Sequence, residues 1–178
     1  MGDGLATVAV IVIGIGLMFG IPLLASAQNL DEATQVAVQT ATTEFGNKIA
    51  TTARFTLDDY QKYQETLNGT KYTFATEFTI QRLDENPGVK TTQAESTKIG
   101  ENVYYTLYTS QVEQELFEKG RINLKKGDII TITVKNTNIT FAESLKNMFY
   151  RLSGNDTPEI TTQWAGVCTE DGSLNRSK

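Results

Sequence analysis

Residues Leu5 to Ala27 read LATVAVIVIGIGLMFGIPLLASA, and no charged side chain interrupts them. An uncharged apolar run of this length has few places to go. As a helix it rises about 34 Å, enough to cross a hydrocarbon core of about 30 Å. Gly14, Gly16, Gly20 and Pro22 are tolerable there, because a membrane helix has neighbours and local adjustments to satisfy its backbone. Residues 1–27 therefore read as a transmembrane helix. Gly16 and Gly20 form a small-xxx-small pair, which permits close approach of another helix and marks a candidate packing and assembly face. Ile13 lies in the middle of the run, where a charge would be least tolerated.

A cleaved secretory signal is the rival reading. Ala25-Ser26-Ala27 before Gln28 satisfies the small-residue rule for cleavage after Ala27. Against it, Met1-Gly2-Asp3-Gly4 holds no Lys or Arg, and the apolar run exceeds the usual signal core of about 7–15 residues. The positive-inside rule is silent, since neither flank is basic.

The helical pattern continues beyond the membrane edge. Leu30, Ala33, Ala37, Ala41, Phe45 and Ile49 recur at three- and four-residue steps, while Asp31, Glu32, Gln35, Gln39 and Lys48 fall off that stripe. One helix from about residue 5 to about residue 51 is expected, with residues 28–54 packing on a domain. Two helices broken near Ser26-Ala27-Gln28-Asn29 are the alternative. Phe45 is the candidate anchor of the second half.

Residues 55–168 read as one polar extracytoplasmic domain, large enough to bury a core without disulfide staples. Thr56 with Asp58 and Asp59 opens a short helix that Asn68-Gly69 closes. Tyr72 to Ile80 alternates with period two, as a half-buried strand does. Asn86-Pro87-Gly88 is a turn, and residues 89–101 are ambiguous. Val103–Tyr108 is a strand or a helix lead-in. Ser110-x-x-Glu113 is a capping box before a helix that Gly120 stops. Arg121–Leu124 is a short strand, Lys125-Lys126-Gly127-Asp128 a hairpin turn, and Ile129–Val134 the strongest strand. Thr140-x-x-Glu143 opens the amphipathic helix FAESLKNMFYRL, which Ser153-Gly154 closes. Glu159–Val167 is a last strand with the only Trp, and 169–178 is a frayed tail. The fold class expected is α+β, a small antiparallel sheet packed with short helices. Ala37, Ala41, Phe45 and Ile49 should cover its inner face beside the FAESLKNMFYRL helix.

The functional exclusions come from what is missing. There is no histidine, which removes Ser-His-Asp, Cys-His and His-ligated zinc chemistry. Cys168 is the single cysteine, so no internal disulfide forms; an inert thiol or an intermolecular bridge remains. A net charge of −5 without a Lys/Arg cluster argues against nucleic acid. Threonine, at about one residue in seven, suits a sheet wetted on one face. Asp58-Asp59 and Asp84-Glu85 lack calcium-loop spacing and read as helix-cap and turn residues. Tyr104, Tyr105 and Tyr108 read as half-buried strand aromatics rather than a stacking platform. Sequons stand at Asn68, Asn138, Asn155 and Asn175. No catalytic constellation and no cofactor site is expected.

The layout resembles type IV pilin-like proteins, specifically the TadE-like group of tight-adherence pili and related secretion systems. The apolar helix, its continuation LDEATQVAVQTATTEFGNKIATTARFTLDDYQKY, the strand KKGDIITITVKN, the helix FAESLKNMFYRLSGND and the strand ITTQWAG carry the likeness. The resemblance implies a non-enzymatic subunit whose partners are membrane lipid, other pilin-like subunits, an assembly ATPase and a platform protein. Pilins carry an acidic residue fifth in the mature helix. Cleavage after Gly4 would place Ala9 there, and cleavage after Gly2 would place Thr7. The resemblance therefore implies a minor pilin or pseudopilin.

Overall fold

The structure, a computed structural model, describes residues 2–83, 104–149 and 160–173. The first element is a single helix, α1, spanning Gly2–Thr52. It continues through Pro22 and through the Ser26–Asn29 stretch without a break. A helix of 51 residues is about 77 Å long, more than twice what a bilayer core requires. It ends at Ala53, a fully buried non-glycine residue with φ of 50°, in the left-handed region. Such a conformation costs an alanine roughly 1–3 kcal/mol and persists where surroundings over-determine it. Here the Ala53 carbonyl accepts from Leu124 N–H at 2.8 Å, and Gly172 presses against the same carbonyl. A Cβ at Gly172 would lie 2.0 Å from the Ala53 oxygen, so only glycine fits that approach.

Two antiparallel sheets follow. β1 (Arg54–Thr56) pairs with β4 (Arg121–Asn123), with Phe55 opposite Ile122. β2 (Phe74–Leu83), β3 (Tyr104–Tyr108), β5 (Ile129–Asn136) and β6 (Thr161–Val167) form a four-stranded sheet in the order β3-β2-β5-β6. Alternation on β5 is strict: Ile130, Ile132 and Val134 are fully buried, and the threonines between them face outward. Period-two patterning makes one face of such a sheet the floor of a core.

Three short helices complete the domain. α2 (Leu57–Asn68) is capped by Thr56, whose hydroxyl accepts from Asp59 N–H at 3.2 Å. α3 (Thr109–Lys119) ends on Gly120, at φ of 71°. α4 (Phe141–Phe149) starts after Thr140, whose hydroxyl accepts from Glu143 N–H at 3.2 Å.

Several sequence expectations change. The Lys125–Asp128 turn forms, with Gly127 at φ of 97° and the Asp128 carboxylate accepting from Lys125 N–H, but it does not close a hairpin. β4 leaves the turn for β1, and β5 joins the other sheet. Register with α1 decides this, because Leu124 is tied to Ala53 at the helix end. The Ser110 capping box is also replaced. Tyr108 is the N-cap, its N–H bonded to Gln111 Oε1, while the Thr109 hydroxyl bonds both Phe78 N–H and Phe78 C=O across the sheet. β1 has no counterpart in the sequence reading. The turn at Asn86-Pro87-Gly88, the Asp84-Glu85 pair, residues 89–101, the helix stop at Ser153-Gly154 and the sequons at Asn155 and Asn175 lie outside the described residues.

The stripe on α1 is the largest correction. Phe45 and Ile49 are buried as the apolar pattern requires, but Ala33 and Ala37 are exposed. The buried line is instead Ala27, Asp31, Thr34, Val38 and Thr42, again at three- and four-residue steps. Threonine can occupy it because its hydroxyl satisfies itself on the preceding turn: Thr34 donates to Leu30 C=O at 2.8 Å and Thr42 to Val38 C=O at 2.7 Å.

Candidate functional site: the junction of the apolar helix and the domain

From Ala6 to Leu23 the helix carries exposed apolar side chains, among them Val10, Ile13, Met18 and Phe19, each more than half exposed. The large apolar side chains of this segment stay exposed among the described residues. It is long and apolar enough to cross a membrane. Ile13 is 61% exposed, and a Cβ at Gly16 would meet no atom within 4 Å. Gly20, one turn above, is shielded. Ile13 and Gly16 thus lie on open helix, and Gly20 does not. Phe45 does not join them: it lies 25 residues above Gly20, about 38 Å along the axis.

Phe45 instead sits at the centre of the domain's aromatic core. Its ring stacks on Tyr63 with centroids 4.3 Å apart and meets Phe55 edge-on at 5.5 Å. Tyr63 donates its hydroxyl to Thr42 Oγ1 at 2.9 Å, since the Thr42 proton is already committed to Val38 C=O. Burial pushes the Tyr63 phenol up to about 12. One turn on, Gly46 lies flat beneath Trp164 of β6: a Cβ there would fall 2.3 Å from the indole. Gly166 supports the other end of the ring in the same way. Gln35 reaches β6 as well, donating to Thr161 C=O at 2.7 Å.

Lower on the helix, a polar link that the sequence did not disclose fixes the approach of α4. Tyr72 donates its hydroxyl to Asp31 Oδ1 and accepts from Phe141 N–H at 3.1 Å. Burial, then the Asp31 carboxylate, raises the Tyr72 hydroxyl above its usual range. One turn below Asp31, Ala27 packs with Ala142 and Leu145 of α4, and Leu24 adds to this cluster. Among the described residues α4 therefore rests on α1 and not on the sheet, contrary to the expectation that it would share the covering of the inner face. A cleft of about 620 Å³ opens beside it, lined by Gln28, Asp31, Glu32, Gln35, Ala142 and Lys146. The signal for this link was a carboxylate four residues past the apolar run, in phase with Ala27, Thr34 and Val38.

The other polar groups singled out in the sequence are accounted for locally. Asp58 pairs with Lys62 at 2.7 Å, and Asp59 is held by Lys48 and Thr56. Burial opposes ionisation of Asp59, but those two bonds prevail and keep its carboxyl below the ordinary range. Glu113 accepts from the Tyr60 hydroxyl at 2.9 Å. Cys168 is 1% exposed, and burial, with the Asp128 carboxylate beside it, pushes its thiol up to about 12. Asn138 uses its side-chain oxygen to accept from Thr73 N–H at 2.9 Å. Tyr104, Tyr105 and Tyr108 of β3 are all exposed, not half-buried as expected. Among the described residues no cluster of three or more carboxylates or thiolates is placed to hold a metal.

Comparison with protein-family models, with curated proteins and with solved structures finds no match to this chain.

Proposed function

We propose that this chain is a non-enzymatic, membrane-anchored, pilin-like structural subunit, a minor pilin or pseudopilin of a surface filament or a secretion apparatus. One observation carries the reading: a single unbroken helix has a bare apolar lower half and an upper half built into an α+β domain. In this reading Leu5–Ala27 holds the protein in the membrane, and the domain stands on the extracytoplasmic side. An assembly ATPase and a platform protein then draw it into a larger structure. A lipid-facing helix can exchange lipid for like helices at little cost, so Ile13, Gly16 and Gly20 are the positions at which copies would meet.

Retention of the apolar segment is favoured by its packing. Ala27 is 1% exposed and lies against α4, so cleavage after it would cut the helix within a formed contact. Two measurements test the proposal. The mass of the mature N-terminus should correspond to a chain that keeps Leu5–Ala27; a start at Gln28 defines a secreted binding module and overturns the anchored reading. Ile13→Lys should abolish membrane retention or incorporation into surface filaments. Normal filaments from that variant would refute the assembly role.

A further inference from the structure

We propose that α4 and the loop leading into it form an interfacial ledge, which rests in the headgroup layer of a bilayer with Ile139 and Phe141 inserted toward the acyl boundary. This rests on the membrane-anchored reading above. The occupant assigned to this surface is a lipid bilayer.

The argument starts from distance along α1. Leu5 to Leu24 rises about 30 Å, the thickness of a hydrocarbon core, so Leu24 stands at its boundary. Ala142 and Leu145 pack on Ala27 and Leu24, and the Tyr72 hydroxyl ties the first N–H of α4 to the level of Asp31. The whole attachment of α4 to α1 thus falls between Leu24 and Asp31, within about 10 Å of the boundary. That is the depth range in which interfacial helices lie.

The exposed side chains at this level are the wrong ones for water. Ile139 is 63% exposed and Phe141 48% exposed, adjacent to the anchor points of α4. They are not loosely held. Asn136 Nδ2 donates to Asn138 C=O at 2.9 Å, Asn138 accepts from Thr73 N–H, and Thr137 N–H bonds Thr73 C=O. A loop braced in this way presents Ile139 in a fixed position, which is how a wedge for the interface is held. Charge does not supply the attraction. Among the described residues of α4 and the cleft beside it, Asp31, Glu32 and Glu143 stand against one ammonium, Lys146. An anionic lipid surface gains nothing from that set, so apolar insertion carries the contact, and it should occur in uncharged lipid and resist salt.

Cys168 is buried, so a cysteine introduced at an exposed position can be labelled selectively. The full chain is reconstituted in phosphatidylcholine vesicles as three variants, Ile139→Cys, Ile13→Cys and Gln39→Cys, each carrying an environment-sensitive fluorophore. Lipids with a nitroxide near the top of the acyl chain serve as quencher. The label at residue 139 should shift to the blue and lose most of its emission, at low and at high salt, while the label at residue 39 stays water-like and unquenched. A water-like, unquenched label at 139 overturns the ledge. Shielding at 139 that vanishes on dilution of protein into excess lipid shows a second copy as the occupant, and also overturns it. A water-like emission from the label at residue 13 means that the span itself is not in the bilayer, so the anchored reading fails along with the ledge. That failure is recognisable apart from a failure at residue 139 alone.

Discussion

The two halves of α1 obey the same backbone geometry and opposite rules of side-chain placement. Below Leu24 every face of the helix carries apolar groups, and its large apolar side chains stay exposed among the described residues. Above Ala27 the helix has one buried line, and half of that line is polar: Asp31, Thr34 and Thr42 beside Val38, Phe45 and Ile49. A helix that is hydrophobic all round belongs in lipid or in a large core, whereas a helix with one buried line belongs on a domain. The difference teaches that hydrophobicity says where this helix sits only for its lower half. In the upper half, size and hydrogen bonding decide which side is buried.

The largest test of that contrast is Phe45→Ala. Removing a ring that stacks on Tyr63 and touches Phe55 and Phe78 should cost the domain about 3–5 kcal/mol. Ile13→Ala, in the open half, should leave thermal unfolding of the detergent-solubilised protein unchanged. Equal shifts for the two variants would erase the distinction between the halves.

Next in size is an alkaline effect. Folding keeps the Tyr63 phenol neutral, with its pKa raised from 10.0 to about 12. A raised folded-state pKa contributes stability that is fully present below the unfolded value and is lost as pH climbs through the folded one. Two units correspond to about 2–3 kcal/mol. Denaturant midpoints measured from pH 10 to 12 should therefore fall for the parent chain and fall less for Tyr63→Phe. Identical pH slopes would show that the phenol is not sequestered between α1 and α2.

Gly46→Ala probes the closest approach of helix and sheet. The added methyl would drive into the Trp164 ring, and overpacking of this kind costs about 1–3 kcal/mol. Since Trp164 is the only tryptophan, its emission should shift together with the melting point. The smallest effect belongs to Gln39→Ala. Gln39 is in the packed half but on its exposed side, so a change within about 0.5 kcal/mol is expected in the same unfolding assay. A large loss there would mean that the buried line has been placed on the wrong side of the helix.

Much of the fold was readable because its signals are local. The apolar run, the alternation of Ile129–Val134, the Thr56 cap and the Gly120 stop each depend on a few adjacent residues. What was not readable depends on partners far along the chain. Asp31 reads as a solvated charge until Tyr72, 41 residues away, donates to it. Lys125–Asp128 reads as a hairpin until Leu124 is found bonded to Ala53. α4 has the stripe of a sheet-covering helix, but the tie from Phe141 to Tyr72 and the packing of Ala142 and Leu145 on Ala27 and Leu24 set it against α1 instead. On the lower helix, the exposure of Ile13 and the open space at Gly16 follow from the uninterrupted apolar run, whereas the shielding of Gly20 does not. The junction itself was hidden, because threonine and aspartate do not register in an apolar count.

The continuity of α1 through Pro22 and Ala27 also sets an angular relation between membrane and domain. A rod with no hinge transmits rotation as faithfully as translation. Each residue turns the helix by about 100° and lifts it by 1.5 Å. One residue inserted between Gly20 and Leu24 would swing the Gly16–Gly20 face about a quarter turn around the domain above it. Seven inserted residues would bring it back to within about 20° while raising the domain by about 10 Å. The number of residues between that face and the domain is thus a dial: on the proposed reading, its setting would decide which side of the domain looks outward where two copies met in the membrane.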